Sequence, residues 1–277
     1  MTIDKTYDYI IYPASLAGVL TAIDLTGKDK NVLLLNFYGF MGGSITESLN
    51  CYQNIDENNL NRLTKELFQK IKNAKHGILY RNGNDFIFNP ETLKTALQEE
   101  LENSKVDLLF HILPFYLKQK EDYVEVSLTG KEGISHVRGR KIIDASEGYD
   151  LLKLENVKRS LSGVNYNLFL TGLKDDDWQS FKSINKFIKL YDNRYWLSLK
   201  IPNPQNEFFI ENNSQKIVNE FETVIQKSGG RIQLLAPQTQ KIYDIDNLKV
   251  SDSVFHVKNN VKNNYSFSEV FGECSEL

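Results

Sequence analysis

Residues Tyr7–Asn50 read YDYIIYPASLAGVLTAIDLTGKDKNVLLLNFYGFMGGSITESLN, and this stretch decides the fold. A short apolar run at Tyr9–Tyr12 contains aromatic and β-branched residues, which is typical of a strand buried on both faces of a parallel sheet. Apolar residues then recur at helical spacing, with Ser15 as a candidate N-cap and Gly27 as a stop signal. A second apolar strand follows at Val32–Leu35. The stretch therefore predicts a β-turn-α-β unit.

The composition is that of a soluble globular chain. Its 277 residues are 41% hydrophobic, which is enough for one large core or two smaller ones. The formal charge of -3 and the pI of about 5.9 provide no basic surface for a nucleic acid. No apolar run reaches the roughly 20 residues that span a bilayer, and the N-terminus lacks the order of a signal peptide. We predict a cytoplasmic protein with no nucleic-acid or membrane partner.

Candidate metal ligands and catalytic residues are scarce. The two cysteines, Cys51 and Cys274, and the four histidines show no metal-ligand spacing, so no metal site is predicted. No histidine has a visible acidic or nucleophilic partner in the sequence, and His111 is expected inside a buried strand as a core residue. No catalytic residue is predicted.

The remaining patterns extend the first unit into a domain. They predict a helical insertion at about residues 55–80, a helix capped by Asn89, a strand at Val106–Leu113 and an antiparallel meander before KIIDASEG. Beyond Val157 the pattern changes to separate strands and one helix over residues 213–228. The predicted fold class is α/β: a Rossmann-like parallel sheet with a β-meander over residues 1–157, and a smaller α+β domain over residues 158–277.

Several segments in order resemble the FAD-dependent oxidoreductases of the type with two dinucleotide-binding domains. The similar segments are YDYIIYPASLAG, NFYGFMGGSITES, YVEVSLTGKEGISHV and KIIDASEG, and LLAPQTQKIYDIDNL is similar more weakly. The resemblance implies an FAD/NAD(P)-binding first domain, a substrate or interaction domain after it, and FAD as the cofactor.

The turn after the first strand departs from the family pattern. Where G-x-G-x-x-G has its three glycines, this chain has Pro13, Ser15 and Gly18, so only the glycine that allows close helix packing is kept. Asn36 replaces the acidic residue that holds the adenosine ribose, which removes a charge-assisted hydrogen bond. The flavin site is therefore degenerate. The resemblance implies these cofactor-binding residues: Ser15, Gly18, Asn36, Gly42, Gly43, Ser44 and Ala145.

The last residues do not show the strand and helix that complete the flavin site in the family, so we expect a shortened site with an uncovered sheet edge. Three functions remain open. The first is an FAD-dependent oxidoreductase that acts on a small molecule, as a homodimer or in a complex with another oxidoreductase subunit. The second is a flavin-free structural or regulatory subunit paired with an active oxidoreductase. The third is a small-molecule binding protein that reuses the cleft.

Overall fold

The computed structural model describes residues 2–245 and 254–256, except Asp192, Asn203 and Gln205. It contains fifteen strands and six α-helices in the described part of the chain. In chain order they are β1 (Thr2–Tyr12), α1 (Leu16–Gly27), β2 (Val32–Leu35), α2 (Ser44–Glu47), β3 (Tyr52–Asn54), α3 (Arg62–Asn73), β4 (Ile78–Asn82), β5 (Asp85–Phe88), α4 (Pro90–Glu102), β6 (Asp107–Leu109), β7 (Leu113–Gln119), β8 (Val124–Gly130), β9 (Gly133–Asp144), α5 (Asp150–Leu154), β10 (Arg159–Thr171), β11 (Ile184–Lys189), β12 (Tyr195–Lys200), α6 (Glu207–Lys227), β13 (Arg231–Leu235), β14 (Gln240–Ile245) and β15 (Val254–His256).

The first sheet has seven strands in the order β6-β2-β1-β9-β8-β7, and β15 also pairs with β9. β1, β2 and β6 are parallel neighbours, as the sequence predicts. Every residue of β2 is buried, because helices and loops cover both faces of this part of the sheet. The predicted fold class, a mixed α/β structure with a parallel sheet, is confirmed.

Helix α1 begins where the sequence places it. Ser15 is its N-cap, and the Ser15 side chain accepts a hydrogen bond from the Gly18 backbone N–H. Asn89 caps α4 in the same way, with Pro90 in the first turn. α3 begins later than predicted, because Asn61 caps it while Asp56 caps a short 3₁₀ turn. α1, α3 and α4 pack on the sheet together with the small sheet β3-β5-β4.

The strand predicted at Val106–Leu113 is two strands. β6 ends at Leu109 and pairs in parallel with β2, whereas β7 begins at Leu113 and pairs antiparallel with β8. His111 lies between them with a φ of 59° and an exposed side chain, so its predicted place in the core is wrong. A left-handed residue breaks the extended ladder and lets the chain turn into the meander.

The second sheet is antiparallel, with the order β11-β12-β10-β13 and β14 paired to β10. α6 covers one face and buries Phe221 and Ile225 against Trp178 and Leu197. α6 begins at Glu207, six residues before the predicted start, and Asn206 is its N-cap. This sheet begins where the predicted second domain begins.

A returning strand closes the first sheet, contrary to the prediction that none exists. β15 pairs in parallel with β9, with Val254 opposite Ile142 and Phe255 opposite Ile143. The Val254 side chain is buried in the first sheet's core. The carboxyl end of β9 therefore has a partner strand. The argument that an uncovered sheet edge here leads to association does not hold. The helix expected after this strand falls on residues outside the described part.

Candidate functional site

Three segments converge at the carboxyl ends of β1, β2 and β9. The Pro13–Ser15 turn follows β1, and the Ser146–Gly148 turn follows β9. The Gly42–Ser44 loop follows β2 after a short connecting segment. With residues 238–241 and Tyr243 they line a cavity of about 190 Å³, which we call the first cavity. Carboxyl ends of parallel strands are the usual place for a ligand in sheets of this kind.

The Ser15 hydroxyl forms hydrogen bonds within the protein. Its Oγ donates to the Ala145 carbonyl at 2.8 Å and accepts from the Gly18 N–H at 3.0 Å. These bonds join the turn after β1 to the turn after β9. Ser15 lines the first cavity, whereas Gly18 and Ala145 are buried behind it. The predicted residues are therefore brought together, but Gly18 and Ala145 serve packing and support.

The Gly42–Ser44 loop packs directly on the turn after β1. The Gly42 N–H donates to the Ala14 carbonyl at 2.9 Å. Gly43 has a φ of 59°, and a Cβ there would lie 2.9 Å from the Ser15 Cβ. Only glycine meets both demands at this position. The loop places the Ser44 side chain at the first cavity.

The Asn36 side chain holds the turn after β1 in place. Its Oδ1 accepts from the Ala14 N–H at 3.1 Å, and its Nδ2 donates to the carbonyls of Phe40 at 2.6 Å and Tyr38 at 3.3 Å. The side chain is fully buried and does not line the first cavity. Its role in holding a ribose stays a prediction, and in this arrangement the amide is already engaged within the protein.

Asp144 orders the turn that follows β9. Its carboxylate accepts from Ser146 Oγ at 2.6 Å, from the Ser146 N–H at 2.9 Å, and from the N–H groups of Leu151 and Leu152 in α5. Burial raises the pKa of Asp144 to about 7, and the bond from Ser146 Oγ acts in the opposite direction. Asp144 therefore fixes the Ser146–Gly148 turn and has no free oxygen for a ligand.

Glu47 is the functional candidate that sequence reasoning missed. It ends α2, lines the first cavity and is buried, and its Oε1 has no hydrogen-bond partner among the described residues. Burial raises its pKa to about 7 and the nearby Glu147 charge adds to the shift, whereas the side-chain amides of Asn36 and Gln238 act in the opposite direction. The other oxygen accepts from Gln238 Nε2 at 3.0 Å, and Tyr38 donates to Gln238 Oε1. A buried carboxyl that titrates near neutral pH is suited to proton transfer.

One signal in the sequence could have drawn attention to Glu47. Ser44 and Glu47 have the spacing of a capping box, which predicts two reciprocal hydrogen bonds at a helix start. In the structure the N-cap is Gly43, and the Ser44 hydroxyl is buried with no hydrogen-bond partner in the described part of the chain. Two polar groups thus stay unpaired beside one cavity, and in native proteins such groups call for a ligand, a water or a chemical role.

We expect Glu47→Gln to stabilise the protein in a pH-dependent way. In the unfolded chain this carboxyl ionises above about 4.5, whereas in the folded protein it stays protonated up to about 7. The penalty for the buried charge is therefore absent below pH 4.5 and grows until pH 7. The variant should be more stable by about 1–3 kcal/mol at pH 8 and nearly unchanged at pH 4.5. Urea unfolding of both proteins between pH 4.5 and pH 8 measures the difference in their free energies of unfolding. A difference that does not vary with pH would contradict the raised pKa of Glu47.

Charges of both signs line the first cavity. Arg159 forms an ion pair of 2.8 Å with Asp150, and its guanidinium also stacks on Tyr243. Lys241 is the second cation, and Glu47 and Glu147 are the other acids. α1, whose N-terminus carries a partial positive charge, begins beside them. The cavity can therefore receive an anionic group next to its cations.

A second cavity of about 430 Å³ adjoins the first. It lies over the antiparallel sheet, and its walls come from β3, β10, β11, β12 and β14. Gln240 lines both cavities, so they share a wall at this residue. Ligand pockets for small molecules usually measure about 300–1,000 Å³, a range that the second cavity reaches alone and the first reaches only together with it.

The geometry defines a protein with a dinucleotide-type sheet whose strand ends face a second, antiparallel sheet. Residues 8–253 match the family of FAD dependent oxidoreductases, and the protein belongs to this family. The expected family and its cofactor, FAD, are thereby confirmed. No curated protein matches the sequence. Among the described residues, no helix is both long and apolar enough to cross a membrane.

Solved structures of several enzymes share the fold. p-Nitrophenol 4-monooxygenase PnpA from Pseudomonas putida matches with a TM-score of 0.59 at 11% identity, over 92% of this chain and 72% of that one. Aklavinone-11 hydroxylase in complex with FAD and aklavinone matches with a TM-score of 0.60 at 11% identity, over 92% of this chain and 57% of that one. A geranylgeranyl bacteriochlorophyll reductase-like protein from Thermoplasma acidophilum matches with a TM-score of 0.60 at 11% identity, over 93% and 71%. This likeness shows the fold alone.

The residues of the first cavity fit one part of FAD. For the pyrophosphate and the flavin end, the chain provides the N-terminus of α1, the unpartnered Ser44 hydroxyl, and the cations Arg159 and Lys241. For the adenosine ribose, the engaged amide of Asn36 provides no group. The fit is therefore to the pyrophosphate and flavin portions and not to the ribose.

Proposed function

We propose that the protein is an FAD-dependent oxidoreductase that acts on a small molecule, with the cofactor at the first cavity and the substrate in the second. The observation that supports this most directly is the shared wall at Gln240, which places the cavity at the strand ends next to a separate, ligand-sized cavity. When bound, FAD supplies the electron-transferring ring. The activity, the substrate and the cytoplasmic location are parts of this proposal.

In the proposed reaction, Glu47 holds and moves the proton. Its carboxyl has a pKa near 7 and one oxygen without a partner at the cavity, so it can take up or release a proton at neutral pH. Gln238 keeps the other oxygen in place, and Tyr38 keeps Gln238 in place. Ser44 and Arg159 are the residues proposed to hold the pyrophosphate.

Freshly purified protein tests the proposal through its visible absorption spectrum. We expect flavin bands, and we expect the cofactor released by denaturation to have the mass of FAD. A colourless protein that gains no bands after incubation with excess FAD would reject the proposal.

That result would favour a second function, which two observations support. Asn36 ties the turn after β1 into the protein, and three acids, Glu47, Glu147 and Asp150, line the first cavity. Both features weaken the binding of a dinucleotide. The second candidate is therefore a flavin-free member of the family that binds a small molecule or serves as a subunit beside an active oxidoreductase.

Association with a second copy or with another oxidoreductase subunit remains part of the proposal. Exposed apolar side chains on the meander, among them Phe115, Tyr116 and Ile134, are the surface on which it depends. Light scattering coupled to size exclusion at low micromolar concentration checks it, and a monomer without a copurifying protein would remove this part of the proposal.

A further inference from the structure

The second cavity has a chemical character of its own. Two of its lining residues are cations, Lys186 and Lys200, and none of its described lining residues is acidic. Asp85 is the carboxylate whose charge acts on Lys186, and its Oδ1 already accepts from Tyr52 Oη at 2.6 Å and from Asn54 Nδ2 at 2.8 Å. An anion in this cavity would therefore meet positive charge with little competition.

Lys186 is held at the cavity wall. Its Nζ lies 3.1 Å from the centroid of the Tyr52 ring, and within the described residues it has no ion pair. Burial lowers the pKa of Lys186, and the Asp85 charge acts in the opposite direction. A cation that is partly removed from water and that forms no direct ion pair gains from an anionic ligand.

The rest of the lining can bind hydroxyl groups. Amides and hydroxyls, which both donate and accept hydrogen bonds, dominate it, and the aromatic residues Tyr52 and Trp196 stack at its edge with a centroid distance of 6.1 Å. The amide and hydroxyl residues are Asn50, Ser162, Asn165, Asn185, Ser198 and Gln240. A purely apolar ligand would leave these groups without partners.

We propose that the second cavity binds a small polyhydroxylated carboxylate, with the carboxylate at Lys186 and Lys200 and the hydroxyls at the amide and serine side chains. The cavity volume of about 430 Å³ is sufficient for a molecule of this size. The role of this compound as substrate rests on the proposed oxidoreductase function, whereas its binding does not.

Calorimetric titration tests the binding with D-gluconate and D-glucuronate as probes and D-sorbitol as the uncharged counterpart of D-gluconate. We expect at least one of the two carboxylates to bind and D-sorbitol to bind about 10-fold or more weakly. Lys186→Gln should weaken the binding of the carboxylate about 10- to 100-fold. Lys189→Gln, on the same strand but outside the cavity, is the matched control and should leave the affinity unchanged.

Three results would overturn the proposal: no binding of either carboxylate, equal binding of D-sorbitol, or equal affinity of the wild-type and Lys186→Gln proteins. Thermal unfolding of each variant shows whether a loss of binding comes from a loss of folding. The flavin spectrum separates the two proposals, since a colourless protein that binds the carboxylate keeps this one and rejects the oxidoreductase. A yellow protein that binds neither carboxylate keeps the proposed oxidoreductase function and rejects the carboxylate site.

Discussion

Gly18→Ala should destabilise the protein by about 3 kcal/mol, the upper end of what overpacking costs. A Cβ at Gly18 would lie 2.2 Å from the Pro13 carbonyl oxygen and 3.2 Å from the Ala145 Cβ. The first neighbour is backbone, so relief requires α1 to move away from β1. Because the cofactor-facing turn lies at this contact, FAD affinity should fall as well. Urea unfolding and flavin titration measure the two effects.

Gly27→Ala is the matched control at the other end of the same helix. A Cβ at Gly27 would meet nothing within 4 Å, and Gly27 is the last residue of α1. We expect the alanine variant to be as stable as the wild-type protein, or more stable by about 0.5–1 kcal/mol. Equal stability of the Gly18→Ala and Gly27→Ala variants would show that the close packing of α1 on β1 is not as described.

Asn36→Asp should destabilise the protein by about 2–4 kcal/mol at neutral pH, although the two side chains have the same shape. The change removes the Nδ2 donor, leaves the carbonyls of Phe40 and Tyr38 without it, and places a carboxyl in a fully buried position. The unfolded chain ionises such a carboxyl above a pH of about 3.9, whereas burial keeps the folded one protonated to a higher pH. The loss of stability should therefore grow as the pH rises above about 4.

Asn212→Asp makes the same chemical change on an exposed position of α6. Its free energy of unfolding should differ from that of the wild-type protein by less than about 0.5 kcal/mol. If Asn36→Asp behaves like this control, the amide does not hold the turn after β1, and Asn36 is available to a ligand as the sequence suggested.

Local signals predicted much of the first domain. Ser15 and Asn89 act as N-caps because their side chains and the following apolar spacing specify a helix start without help from distant residues. β2 was predictable because a strand buried on both faces must be apolar throughout. Gly18 was predicted from the glycine pattern of the family, and its contact with the Pro13 carbonyl explains why a glycine is needed there.

The rest depends on contacts between distant segments. β15 is three residues long, and only its pairing with β9 identifies it as a strand. The left-handed turn at His111 has no glycine or asparagine to mark it. Glu47 becomes a candidate proton carrier because Gln238 and Glu147 approach it from other parts of the chain and bury it. The sequence placed Ser44 near the cofactor, but it did not show that the hydroxyl lacks a partner.

The binding of FAD to cofactor-free protein, measured by titration for the wild type and for Ser44→Ala, tests the central claim most directly. The Ser44 hydroxyl is buried and unpartnered, so its removal should leave stability unchanged or slightly higher while FAD affinity falls about tenfold. Ser214→Ala removes another buried hydroxyl that has no partner among the residues described and does not line the first cavity, and it should leave FAD affinity unchanged. Equal FAD affinity of the wild type and both variants, or no binding of FAD to the wild type, would contradict the assignment of the first cavity as the flavin site.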